Sequence, residues 1–187
     1  MTYDCTQPIH VRDGICVRPF LTEEAETLYH RFQAERETTA LRWIGSIDRA
    51  ESVEYVANEI ERVNGLLRES KRLGGAIEVE GQPVGSCRLA HIEIGKTGDL
   101  GYWIFDDYRG KGIVTDCSRA VINVAFEHLA LGVVTICAST TNPRSCGMAE
   151  RLGFTYGHTV ENSMTRYGVT SDTAVYYVTK SQWQSIP

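Results

Sequence analysis

Between the apolar run Leu100-Gly101-Tyr102-Trp103-Ile104 and a long amphipathic stretch lies Tyr108-Arg109-Gly110-Lys111-Gly112-Ile113-Val114. Two glycines two residues apart let a backbone pass close to a bulky anion with no Cβ in the way. The amides that open a following helix have no acceptor inside that helix and point outward as donors. Together these features suit a pyrophosphate, and Arg109 and Lys111 add positive charge beside it. Glycines also serve strand-to-helix turns for purely steric reasons, so the loop alone leaves both readings open.

Downstream, Asn142-Pro143 is a helix start, with asparagine as cap and proline in the first turn. Ser145 then sits in the first turn of that helix. The six cysteines, at 5, 16, 87, 117, 137 and 146, show no CxxC spacing. They read as reduced thiols of a cytoplasmic protein, mostly small core residues. Cys117 and Cys137 fall at apolar positions of an expected helix and strand. Cys146 lies near a helix N-terminus, which lowers a thiol pKa, but no histidine is placed beside it. No His/Cys/Asp cluster has metal-ligand spacing, so no metal is expected.

These residues need a scaffold. Ile15 to Phe20 reads as a first strand. Thr22 can cap a helix carrying Leu28 and Phe32 on one face. Ala50 to Glu69 places Val53, Val56, Ile60, Val63 and Leu67 at helical spacing. Ala76 to Glu80 and Val84 to Ile94 flank Gly81-Gln82-Pro83 as a hairpin. Gly98 to Ile104 is the next strand, Lys111 to Leu129 a helix with Val114, Cys117, Val121 and Val124 in one stripe, and Val133 to Ala138 a β-branched strand of the kind buried on both faces. A short helix ends at Gly153, and 154–164 and 172–179 form a closing strand pair. The order β-α-α-β-β-β-α-β-α-β-β describes an α/β chain with a mixed sheet and a crossover helix between two central parallel strands.

At 187 residues, with no repeat, linker or low-complexity run, the chain is expected to form one domain, 1–187. No apolar run approaches a membrane span, and the first twenty residues have no apolar core of a secretory signal. A net charge of −5 argues against a nucleic-acid partner. The P-loop Lys-Ser/Thr ending and a dinucleotide GxGxxG are both missing, which argues against a nucleotide-phosphate binder.

From Gly101 to Phe154 the chain resembles the GNAT acetyltransferases. Their signature, Gln or Arg, two residues, Gly, one residue, Gly or Ala, is matched by Arg109 and Gly112, with Val114 in place of the small residue. The RimJ/RimL-like branch, which includes N-acetyltransferases of ribosomal proteins, has Gly-Tyr-Trp before the loop, then Asn, two residues, Ser, and a later Leu-Gly-Phe. Here these are Gly101-Tyr102-Trp103, Asn142, Ser145 and Leu152-Gly153-Phe154. The resemblance implies a mostly antiparallel sheet whose central parallel strands splay apart around the cofactor arm. It implies acetyl-CoA bound by Trp103, Ile104, Arg109, Gly110, Lys111, Gly112, Ile113, Val114 and Asn142, and transfer without an acyl-enzyme. Tyr102 and Trp103 read as core aromatics whose backbone lines that arm.

The resemblance makes Ser145 the acid for the departing thiolate and Glu161 the base, aligned through Gly157 with one residue deleted. His91 and Glu93 are alternative bases, and Asp172 matches a family aspartate of unassigned role. Trp43 falls in the amino-terminal region expected to cover the acceptor. The acceptor is a primary amine, either a protein N-terminus such as that of a ribosomal protein or a small antibiotic, polyamine or amino-acid derivative. A non-catalytic CoA-binding sensor, an acyl group larger than acetyl, and a homodimer stay open.

Overall fold

The computed structural model describes residues 3–35, 50–166 and 168–186, Arg166 by its backbone alone. Eight strands form one sheet in the order β1-β2-β3-β4-β5-β6-β8-β7. An amino-terminal hairpin joins β1 (Ile9–Arg12) to β2 (Ile15–Arg18). Only β2 was expected. The missed signal is Asp13-Gly14, a two-residue turn pair, with Gly14 at φ 72. The next hairpin, β3 (Leu73–Val79) to β4 (Gln82–Glu93), turns at Glu80-Gly81 rather than at Gly81-Gln82-Pro83. Both turn residues take positive φ, 48 and 79, as a tight primed turn demands.

Two helices cover one face. Ala25–Glu35 forms α1 and Val53–Arg68 forms α2. Ser52, not Ala50, starts α2: its hydroxyl accepts from the Tyr55 amide at 3.0 Å. Thr22 does not cap α1 either. It opens a single 3-10 turn, and its hydroxyl donates to Glu61 of α2 at 2.7 Å. The carboxylate of Glu24 takes the capping role, accepting from the Leu21 amide at 2.9 Å. Leu28, Phe32, Val56 and Ile60 pack here on Ala76 of the sheet and on Phe105 just beyond it.

The opposite face carries α3 (Ile113–His128) and α4 (Pro143–Arg151). Cys117, Val121, Ala125, Met148 and Ala149 are buried there against Val17, Cys87, Leu89 and Ile136. Helix α3 connects β5 (Thr97–Ile104) to β6 (Val133–Ser139), the parallel pair. Pairing runs only from Thr97–Val133 to Asp99–Thr135. Beyond that point β5 stays with β4 as far as Ile104–Gly85, and β6 stays with β8 as far as Ser139–Thr173. The two strands part, and a gap opens in the middle of the sheet.

That gap corrects one expectation about β6. Val134, Ile136 and Ala138 are buried, but Cys137 is exposed. The strand is buried on one face only near its end, because its β5-side neighbour has left. The sheet closes with β7 (Thr155–Arg166), β8 (Val169–Thr179) and a short α5 (Lys180–Trp183).

Candidate active site

The gap is part of a cleft of about 1210 Å³. At one mouth lies the glycine loop. Gly110 and Gly112 sit at φ 73 and 76, a region that side chains rarely enter. Space is not the reason for glycine. A Cβ at 110 would touch nothing within 4 Å, and one at 112 would meet only Asp116 Oδ2 at 3.9 Å. The positive φ bends the chain so that Gly112 becomes the left-handed N-cap of α3, with no side chain capping the helix. The first helical bond is Asp116 N–H to the Gly112 carbonyl at 3.0 Å. The amides of Ile113, Val114 and Thr115, all at the cleft wall, precede it and carry the positive end of the helix dipole.

Charge around this mouth is positive but held. Arg109 pairs with Asp106 at 2.9 Å. Lys111 places its ammonium over the Tyr108 ring at 5.0 Å. Burial lowers the Arg109 pKa, and Arg144 across the cleft lowers it further. Arg12 anchors the loop from behind, donating to the Lys111 carbonyl at 3.4 Å and pairing with Asp116 at 3.4 Å.

Farther in, β5 forms one wall. The Phe105 amide donates to the Val84 carbonyl of β4 at 2.9 Å. Strand alternation then turns the amides of Tyr102 and Ile104 the other way, into the gap that β6 has vacated. Opposite stands α4. Asn142 caps it, its Oδ1 accepting from the Ser145 amide at 3.3 Å. The Ser145 hydroxyl lies 3.0 Å from the Tyr102 hydroxyl, so β5 and α4 are joined across the cleft by a pair of exchangeable protons. Burial pushes the Tyr102 pKa up to about 12, against a smaller lowering effect from Ser145. Tyr102 therefore stays a proton donor through the physiological range. Its side chain was read as core packing. The signal for more was its hydroxyl, which a buried tyrosine must satisfy.

The two faces of the sheet contribute differently. Tyr102 packs with the α3–α4 core, whereas Trp103 packs with the α1–α2 core, its ring 5.5 Å from Phe32 and 5.2 Å from Phe105. On that second face the cleft is lined by Arg72, which precedes β3, and by Arg88 of β4. Arg88 lies flat against Gly101: a Cβ at 101 would stand 2.1 Å from its Nη1.

Other expected residues lie elsewhere. Glu161 is exposed on β7 and does not line the cleft. It falls in an irregular stretch between Val160 and Met164, where Asn162 takes φ 50 and its amide is held by Asp172 Oδ1 at 2.9 Å. That bulge breaks strand alternation, so Met164 lines the cleft and the glutamate side chain faces solvent. Asp172 thus shapes β7. His91 is exposed at the tip of β4, 3.0 Å from Asp99, and Glu93 pairs with Lys96 at 3.1 Å, both outside the cleft. Trp43 lies outside the described residues. Cys117 is fully buried and Cys146 does not line the cleft, whereas Cys137 does. Burial raises the Cys137 thiol pKa, which disfavours the thiolate. Among the described residues no cluster of His, Cys, Asp or Glu could hold a metal, and no helix is long and apolar enough to cross a membrane.

Comparison with known proteins adds a family. The family model described as an acetyltransferase (GNAT) domain matches residues 15–155. A Bacillus subtilis (strain 168) protein named as a candidate ribosomal N-acetyltransferase, YdaF, is 32% identical over 106 residues. That match covers 56% of this chain and 58% of YdaF, so the chain spans little more than half of that relative. YoaA of the same organism, named an uncharacterized N-acetyltransferase, is 23% identical over 178 residues, covering 92% of this chain and 97% of YoaA. Among solved structures, the ribosomal L7/L12 α-N-protein acetyltransferase RimL in complex with coenzyme A superposes with a TM-score of 0.85 at 17% identity, covering 92% of this chain and 98% of that one. The microcin C7 self-immunity acetyltransferase MccE, in complex with acetyl-CoA and AMP, gives 0.83 at 22% identity, covering 94% and 98%. At these identities both establish the fold.

Proposed function

The chain belongs to the GNAT acetyltransferase family, and from that premise we propose that it moves an acetyl group from acetyl-CoA to a primary amine, with an α-amino group as the favoured acceptor. The observation that carries this reading is the parting of β5 and β6 beyond Asp99 and Thr135, with donor amides along β5 and a hydroxyl pair that bridges from Tyr102 of β5 to Ser145 of α4.

The residues present fit acetyl-CoA. The outward amides of Ile113, Val114 and Thr115, with Arg109, Gly110, Lys111 and Gly112 around them, suit its pyrophosphate. Trp103, Ile104 and Asn142 line the gap where the acyl arm fits. Acetyl-CoA supplies an activated thioester. The Ile104 amide donates to the carbonyl oxygen, which becomes more negative as the amine attacks. Ser145 gives its proton to the sulfur as the C–S bond breaks, the Tyr102 hydroxyl donates to the Ser145 oxygen meanwhile, and the proton released by the attacking amine returns through water to restore the pair. The amine enters from the α1–α2 face and the thiolate leaves toward the α3–α4 face, so attack and departure need not share space.

Deprotonation of the amine requires little from the protein. A free α-amino group has a pKa of about 8, so a sizeable fraction is already neutral near pH 7.5. The positive charge of Arg72 and Arg88 on that face disfavours an ammonium and lowers this pKa further. Water can then carry the proton away without Glu161. Trp43 is proposed to add apolar contact on the acceptor side.

The test is thiol release from acetyl-CoA across a panel of amines and N-terminal peptides. Release that depends on an amine and yields the acetylated amine supports the reading. Tight CoA binding with no release for any amine would leave a CoA-binding sensor instead.

A further inference from the structure

Among the described residues, the acceptor face of the cleft carries more guanidinium groups than carboxylates to pair them. Arg88 is largely withdrawn from solvent beside Gly101, and among the described residues it has neither a hydrogen bond nor an ion pair. The carboxylate acting on it is Asp99, which is already engaged by His91 at 3.0 Å and by the Thr135 hydroxyl. Arg72 is similarly withdrawn, and its Nε is a buried donor with no partner. The carboxylate acting on Arg72 is Glu59, which binds Arg62 through both oxygens, at 2.8 and 2.6 Å. Among the described residues, the three guanidinium groups of Arg62, Arg72 and Arg88 therefore face two carboxylates at this end of the cleft, Glu59 and Asp99, and both are already engaged.

The electrostatics agree. Burial, then Arg88, then Arg62 bring the Arg72 pKa down to about 9, and burial lowers that of Arg88. A guanidinium so placed gives up water without receiving a partner, which is costly unless a ligand supplies one. Charged groups perturbed by burial and by one another, and lining a cleft, are candidates for a functional site. The backbone has made room for it. Arg88 pairs across the sheet with Gly101, and any side chain at 101 would occupy the guanidinium's place. Arg88 and Trp103 both lie on the α1–α2 face, the side from which the amine enters.

We propose that Arg88 and Arg72 form an anion subsite, and that the acceptor is an amine carrying a carboxylate or phosphate a few bonds from the nucleophilic nitrogen. This deepens the acetyl-transfer reading and rests on it. Paired guanidinium forks suit either oxyanion in bidentate fashion. Polyamines and lysine-rich N-termini are disfavoured acceptors, because the same charges repel a second ammonium. An anionic group on the acceptor offsets that repulsion and places the neutral amine over the gap.

The experiment compares kcat/KM at saturating acetyl-CoA for peptides beginning Ser-Asp, Ser-Asn and Ser-Lys, and for phosphoethanolamine, β-alanine and putrescine. The expected order is Ser-Asp above Ser-Asn by at least tenfold, with Ser-Lys and putrescine lowest. Preference for Ser-Asp alone identifies a peptide carboxylate as the source. Preference extending to β-alanine or phosphoethanolamine identifies a small anionic amine. In Arg88→Gln and Arg72→Gln the Ser-Asp to Ser-Asn ratio should fall at least fivefold, and Arg88→Lys should recover part of it. Equal rates for Ser-Asp and Ser-Asn in the unmodified protein overturn the subsite while leaving acetyl transfer intact, and need no variant that must fold. An unchanged ratio in both folded glutamine variants also overturns it. No transfer to any amine despite acetyl-CoA binding defeats the underlying reading instead.

Discussion

Replacing Gly112 by Asp separates the two reasons a glycine could be there. The residue sits at φ 76, and an added Cβ has open space apart from Asp116 Oδ2 at 3.9 Å. Any side chain costs roughly 1–2 kcal/mol for the left-handed backbone. Borne by the free and the bound protein alike, that cost falls on stability and largely cancels from affinity. Charge does not cancel. A carboxylate at 112 lies beside the proposed pyrophosphate; two charges at about 5 Å in a water-like medium repel it by about 0.8 kcal/mol each. The sum of about 1.7 kcal/mol corresponds to a loss of CoA affinity of about fifteen- to twentyfold. Gly112→Ala should lower Tm and leave Kd within about threefold. Gly112→Asp should lower Tm further, through repulsion from Asp116, and weaken Kd by at least tenfold. Raising salt should shrink the Asp effect on affinity. Calorimetric titration of both folded variants reads this directly. An Asp variant that binds CoA normally, or an Ala variant that loses as much as Asp, would refute the reasoning.

Ser145→Ala should lower kcat by about 10²-fold or more and spare CoA affinity, whereas retention of more than about a third of kcat across the pH range removes Ser145 as the acid. Tyr102→Phe should lower kcat less, and the double variant should fall short of the product of the two effects, because the hydroxyls 3.0 Å apart act as one unit. Glu161→Gln should keep more than about a third of kcat at every pH, since its side chain is exposed outside the cleft; a collapse of the pH–rate profile would restore it as the base. Trp43→Ala should raise the acceptor KM and leave CoA affinity nearly intact, with equal loss of both counting against a cleft role. The raised pKa of Tyr102, about 12, sets a direction for stability: the protonated phenol favours the folded state, that contribution is whole below the unfolded value of about 10, and it is lost as pH rises toward 12. Denaturant melts at pH 9 and pH 11 should show a smaller drop for Tyr102→Phe than for the unmodified protein, and equal drops would contradict the burial argument.

Helices and inner strands were legible because their patterns are local. Val56, Ile60, Val63 and Leu67 at helical spacing, and Asn142-Pro143 at a cap, specify their elements without reference to the rest of the chain. The glycine loop was legible for the same reason, since positive φ at 110 and 112 is a backbone demand written as residue type. Three features were not. The β1–β2 hairpin hid behind a weakly patterned strand, although Asp13-Gly14 marked its turn. Glu161 was misplaced because a bulge on β7, held by Asp172, breaks the alternation on which any strand-face assignment depends. The proposed arginine subsite was not legible because the placement of Arg88 depends on its cross-strand pairing with Gly101, thirteen residues away in sequence. A glycine opposite an arginine becomes a signal once register is known.

The proposed function rests on one step, direct passage of the acyl group from thioester to amine in the gap between β5 and β6. Rapid-quench mass spectrometry tests it most directly. Mixed with acetyl-CoA alone, the protein should gain no acetyl mass. With a Ser-Asp peptide added, acetyl-peptide and free thiol should appear at equal rates, one for one. An acetyl adduct forming on Cys137 or Cys146 before any peptide is modified, and decaying as peptide product appears, would contradict direct transfer.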